Sequence, residues 1–123
     1  MIVGLGIDLC NIERFSDTTR RDRFIERYFA PEERERVVSG GAAASDRAAG
    51  IFAAKEAALK ALGVGIGAIP LTDIVIIYNK NGAPLLTFTG KARSVAESLG
   101  VARMHLSITH EYGVAAAVVI LEE

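Results

Sequence analysis

The chain has a single cysteine, two histidines, no tryptophan and a net charge of only −1 over its 123 residues. The lone thiol, Cys10, excludes an internal disulfide and fits a reducing compartment. Because it follows an apolar run, it reads as a buried, inert thiol. Near-neutral charge gives no basis for binding nucleic acid or an anionic membrane. No apolar run reaches membrane-spanning length, and the N-terminus lacks the basic start and cleavage site of a signal peptide. A cytoplasmic location is therefore expected, with neither nucleic acid nor membrane as partner. The histidines, His105 and His110, do not have the helical i, i+4 spacing of a zinc pair, and no Ser/His/Asp arrangement emerges. With 50% hydrophobic and 24% charged residues, residues 1–123 are expected to form one globular domain with its own core.

The most regular stretch is Ile51–Gly63, IFAAKEAALKALG. Alanine and leucine favour a helix, no proline interrupts it, and Gly63 suits a left-handed C-terminal stop. Phe52, Leu59 and Leu62 share a core-facing stripe, which leaves Glu56 and Lys60 one turn apart. The plain reading of these two charges is a helical ion pair worth ~0.3 kcal/mol. A functional reading needs a second acid, and the N-terminus supplies Asp8. There Val3, Leu5, Ile7 and Leu9 form one strand face, and Ile2, Gly4, Gly6 and Asp8 the other. The glycines let another backbone or a ligand come close to Asp8. Alternatively they mark a bulge, and Asp8 is a turn residue or helix N-cap.

Residues 11–28 read as one or two short helices broken near Ser16–Thr19, with Ile12, Phe15, Phe24 and Tyr28 as buried positions. The arginine excess there (Arg14, Arg20, Arg21, Arg23, Arg27) reads as a solvated face or as a dock for an acidic partner. Pro31, with Glu32 and Glu33 at the positive end of the dipole, opens a helix to about Ser39. Ala42–Ala49 then leads into the central helix with Ser45 as its expected cap. Gly65 and Gly67 space a loop whose amides could hold an anion. Ile74–Tyr78 and Leu85–Phe88 form a hairpin, Gly90–Leu99 a helix, and Met104–Thr109 and Val114–Leu121 two more strands. This order indicates an α+β fold with antiparallel sheet, a long central helix and several short ones.

Taken together, Gly4–Asp8, the Phe52–Ala57 motif with Lys60, Ala61 and Gly63, Gly65–Gly67, Asn81–Gly82 with Pro84, and His105–His110 resemble the holo-acyl-carrier-protein synthases. These are the small phosphopantetheinyl transferases. The likeness runs from residue 1 to about 121. It implies that fold, and transfer of 4′-phosphopantetheine from coenzyme A to a serine of apo-acyl carrier protein, releasing 3′,5′-ADP in fatty-acid and lipid metabolism. It implies that Asp8 and Glu56 bind Mg²⁺ at the coenzyme A pyrophosphate, that Lys60 contacts phosphate, and that His110 lies beside the nucleotide. It also implies a homotrimer with sites between subunits, whose N-terminal helix offers Arg14 and Arg21 to the acidic carrier, with Arg20, Arg23 and Arg27 as neighbours.

Catalysis is thus expected from Asp8, Glu56 and Lys60, and coenzyme A binding from Arg47, Lys60, Gly63, Gly65, Ile66 and His110. Ile51 stands where relatives often carry a basic residue, and Arg47, one turn earlier, is the expected substitute grip on coenzyme A phosphates. Val64 replaces a hydroxyl-bearing residue while the neighbouring amides remain. Two carboxylates plus substrate oxygens suit Mg²⁺. Glu56, through a water, is the expected base for the serine. The alternative is a non-catalytic trimeric carrier-protein-binding module that uses the same charges as interface ion pairs.

Overall fold

The computed structural model describes every residue except Ile66. The chain begins with strand β1 (Ile2–Asn11), a 3₁₀ turn (Ile12–Phe15), helix α1 (Thr18–Tyr28) and helix α2 (Pro31–Val38). After a second 3₁₀ turn (Gly41–Ala43) comes α3 (Ala44–Leu62), and a third (Leu71–Asp73) leads into β2 (Ile74–Tyr78) and β3 (Pro84–Phe88). Helix α4 (Gly90–Ser98) and strands β4 (Arg103–Glu111) and β5 (Val114–Glu122) complete the fold. One antiparallel sheet has the order β1-β5-β4 and the other is the β2-β3 hairpin, paired from Ile74↔Phe88 to Tyr78↔Pro84. This is the expected α+β architecture.

Helix α3 is the core element, buried on nearly every side because its alanines let neighbours approach its backbone. A Cβ at Gly4 would lie 2.0 Å from Ala61 O, and one at Gly6 only 1.9 Å from Ala57 O. The two glycines are therefore the surface on which α3 rests. Gly63 ends the helix at φ 72° as expected.

Two details differ from the sequence reading. The helix starts at Ala44 without a side-chain cap, and the Ser45 hydroxyl instead donates to Phe15 O at 2.9 Å. Ser45 therefore ties α3 to the turn after β1 rather than capping its own helix. Ile25 is buried whereas Ile12, Phe24 and Tyr28 are only partly so, because α1 packs by one edge onto the cluster of Phe15, Phe24 and Phe52.

Glu33 is more than a dipole complement. Its carboxylate is fully buried 2.7 Å from Lys55 Nζ, itself fully buried. Burial pushes the carboxyl up and the amine down, and each opposes the other's shift. Nζ faces three acceptors (the carboxylate, Leu71 O and Ile74 O). An ammonium has a hydrogen for each of the three.

Candidate active site

Asp8 reaches its place because β1 carries Gly4, Gly6, Asp8 and Cys10 on the face toward α3. It is a strand residue paired with Ala117, not a turn or cap. On α3, Glu56 and Lys60 lie one turn apart, yet Lys60 does not pair with Glu56. Its Nζ donates to Asp8 Oδ1 at 2.9 Å and to Ile7 O at 3.0 Å, so the plain expectation of a helical Glu–Lys ion pair is corrected. The strand passes so close to the helix that Asp8 is the nearer acceptor.

Asp8 and Glu56 line one cavity together with Arg14, Phe24, Tyr28, Phe52 and Leu71. Burial first, and the Asp8 charge second, push the Glu56 carboxyl up; Lys60 and Arg14 oppose them. Asp8 from the strand and Glu56 from the helix thus face the same cavity. Both offer oxygen donors. Among the described residues no cluster of three or more His, Cys, Asp or Glu side chains could hold a metal. The donors that line this cavity, two carboxylates with no imidazole or thiol beside them, fit a hard cation that would complete its shell with substrate oxygens and water.

Glu56 also lines a second, more apolar cavity with Arg27, Tyr28, Leu59, Ile69, Pro70, Leu71 and Thr72. Arg14 stacks its guanidinium 4.6 Å from the Phe52 ring centre and 5.4 Å from that of Phe24. It links the acidic cavity to a neighbouring one lined by Asp17, Arg20 and Arg21. The aromatic cradle holding Arg14 beside Glu56 was not anticipated. Its signal was the recurrence of Phe15, Phe24 and Phe52, read only as core.

Arg47 and His110 are not brought to the acids. They line another cavity with Arg36, Asp46, Tyr78 and Pro84, and this cavity shares no residue with that of Asp8 and Glu56. His110 Nδ1 stands 3.9 Å from Asp46 Oδ2, and Arg47 Nη1 donates to Arg36 O at 2.8 Å. Arg36 lies with its guanidinium carbon 3.5 Å from the Tyr78 ring centre, a contact sequence reasoning missed. Ile51 is fully buried and has no access to a ligand. Gly63 and Gly65 follow α3 with open space where a Cβ would stand; Ile66 lies outside the described residues.

The family description "4′-phosphopantetheinyl transferase superfamily" matches residues 4–117. The holo-[acyl-carrier-protein] synthase of Treponema denticola is 44% identical, with 99% of each chain covered. That of Nitratidesulfovibrio vulgaris is 46% identical at the same coverage. Among solved structures, the holo-[acyl-carrier-protein] synthase of Neisseria meningitidis superposes with TM-score 0.86 at 33% identity, covering 100% of both chains. That of Helicobacter pylori, in complex with coenzyme A, does so with TM-score 0.80 at 34% identity, covering 96% of this chain and 99% of the other.

Proposed function

We propose, from the premise that this chain belongs to the 4′-phosphopantetheinyl transferase superfamily, that Asp8, Glu56 and Lys60 form its catalytic centre. The enzyme transfers 4′-phosphopantetheine from coenzyme A to a serine of apo-acyl carrier protein, leaving 3′,5′-ADP. The observation that carries the site assignment is the meeting of Asp8 and Glu56 in one cavity, with Lys60 on Asp8 Oδ1.

Asp8 and Glu56 are the proposed Mg²⁺ ligands. When bound, the cation would neutralise charge building on the pyrophosphate oxygens. Lys60 has two of its three N–H groups engaged by Asp8 and Ile7, which leaves one for a substrate phosphate. Its side chain is 56% exposed, so it can follow that phosphate with little desolvation. Glu56, its carboxylate destabilised by burial, is the proposed base that accepts the serine hydroxyl proton through a water. Phe52, Tyr28 and Leu71 line the same cavity and are the proposed walls that would keep bulk solvent from the attacked phosphorus. Most of the acceleration then comes from charge stabilisation and in-line placement.

Arg47 and His110, on a separate cavity, are the proposed grip on the nucleotide end of coenzyme A, with the Gly63 and Gly65 backbone near its phosphates. We assign the assembly as a homotrimer in which this half-site of one subunit meets the acidic half-site of the next. Support comes from the outer face of the β1-β5-β4 sheet, where Leu5, Ile7 and Leu9 are each more than 60% exposed. They align with Ile120, Val118 and Ala116 of β5. A contiguous apolar sheet face of this kind marks an interaction surface. Arg14 and Arg21 are the proposed dock for the acidic carrier, since Arg14 borders both the arginine cavity and Glu56. The cytoplasm is the proposed location, in keeping with the free Cys10; among the described residues no helix is long and apolar enough to cross a membrane.

The test is incubation with coenzyme A, Mg²⁺ and apo-acyl carrier protein, followed by intact mass. A gain of one phosphopantetheine on the carrier, lost when the metal is chelated, is expected. Binding without modification would instead indicate a carrier-binding module.

A further inference from the structure

Lys55 is a charged group for which the reaction has no evident use. It precedes Glu56 in α3 and is fully buried. Its ammonium donates to Leu71 O at 2.8 Å and to Ile74 O while pairing with Glu33. Glu33 in turn accepts from Ala30 N at 2.8 Å and from Ile76 N at 2.7 Å. The pair therefore joins α2, α3 and the start of β2 through backbone groups. Withdrawing two charges from water is costly, and an apolar pair of the same volume often packs as well or better. What an apolar pair would not do is grip two carbonyls.

Those carbonyls bracket the 3₁₀ turn Leu71–Asp73, and this turn is a wall of the active site. Leu71 lines both cavities that contain Glu56, and Pro70 and Thr72 line the more apolar one. Successive residues leave a helix about 100° apart, so Lys55 grips the turn from the protein interior while Glu56 faces the cavity. We propose that Lys55, held by Glu33, is a positioning residue that pins the Leu71 turn against α3. It thereby sets the apolar wall that receives the pantetheine arm of coenzyme A. The inference rests on the reading that Glu56 stands at the pyrophosphate. Leu59, Ile69, Pro70 and Leu71 give this wall an apolar surface that suits the methyl and methylene groups of that arm, while Arg27 and Thr72 supply the polar groups of the same cavity.

Calorimetric titration with coenzyme A and, separately, with 3′,5′-ADP, which lacks the arm, tests this without a carrier protein. Leu71→Ala leaves the ion pair in place and trims the wall. Lys55→Met removes the grip. Both variants are expected to lose about tenfold in affinity for coenzyme A, the scale of a few methylene contacts, and to hold 3′,5′-ADP within about twofold of the parent. In Lys55→Met the Asp73 amide, bonded to Pro70 O at 3.0 Å, should also exchange with solvent faster than in the parent. Parent-like coenzyme A binding by Leu71→Ala would overturn the inference, as would an equal loss of both ligands in Lys55→Met. Should Lys55→Met fail to fold, parent-like coenzyme A binding by Leu71→Ala would still overturn the inference, since a wall that contributes nothing needs no positioning. A parent protein that binds coenzyme A but does not modify the carrier would remove the reading of the reaction, while these affinities would still judge the wall.

Discussion

At the scale of single residues, Glu56 carries a conflict between stability and chemistry. Burial and the Asp8 charge raise its carboxyl above the usual 4.5, so the folded protein binds this proton more tightly than the unfolded chain does. Its favourable contribution is complete below pH 4.5 and is lost as pH rises through the raised folded value. Glutamine does not titrate. Glu56→Gln is therefore expected to melt at a higher temperature than the parent at pH 7 to 8, with the difference vanishing below pH 4.5 in a melting series. The same variant should lose about 10²-fold or more in turnover at saturating Mg²⁺, consistent with removal of an ionised group from the reacting centre. Undiminished turnover would free Glu56 of both proposed roles. Asp8→Asn removes the like charge, so the Glu56 carboxyl should titrate lower by carbon-detected NMR; an unmoved titration would separate the two acids. Neither acid's role follows from helical spacing alone, because Lys60 is equidistant in sequence logic from a helix partner and from a strand it has not yet met.

Between elements, the contact that matters is β1 against α3. It has no side chains at Gly4 and Gly6, and this is why Lys60 finds Asp8 before Glu56. Gly6→Ala would place a methyl 1.9 Å from Ala57 O, a backbone atom in a rigid helix that has nowhere to move. The strand must shift, at a cost of about 1–3 kcal/mol or more by the measure of overpacked cores. The expected result is a lower denaturation midpoint and, at a temperature where the variant is folded, a higher Mg²⁺ concentration for half-maximal activity as the proposed ligand Asp8 is displaced. Retention of both parent stability and parent metal response would show that the close approach is not what positions the acid. The glycine spacing and the Gly63 stop were legible because each reflects a local backbone requirement. The Glu33–Lys55 pair was not, since nothing in either residue's neighbourhood says that α2 and β2 will enclose both.

For the whole molecule, the decisive feature is the outward sheet face. Leu5, Ile7 and Leu9 alternate as an apolar strand face should, yet that face is the exposed one. Its opposite, the glycine face, is buried because α3 can approach only there. Ile7→Lys places an ammonium in the middle of this face without disturbing the intramolecular core. It is expected to convert the proposed homotrimer to monomers in light scattering and to lower turnover by about 10-fold or more if each site needs a second subunit, since burying an unpaired charge at an interface is strongly unfavourable. A monomeric variant with full activity would mean that Arg47 and His110 serve no site shared between copies.

Alternation, glycine placement and helix propensity were written in the order of residues, because each depends on neighbours a few positions away. They were enough to determine an α+β fold and a central helix, while the pairing of Asp8 with Glu56 came from the resemblance to a known family. Tertiary packing alone decided which face of β1 was core, which acid Lys60 would hold, that Glu33 and Lys55 would neutralise each other, and that Arg47 and His110 would stand apart from the acids. Those outcomes depend on distances between segments distant in sequence. The backbone's close approach at two glycines sets the first two, and the enclosure of one lysine by two helices and a strand sets the third.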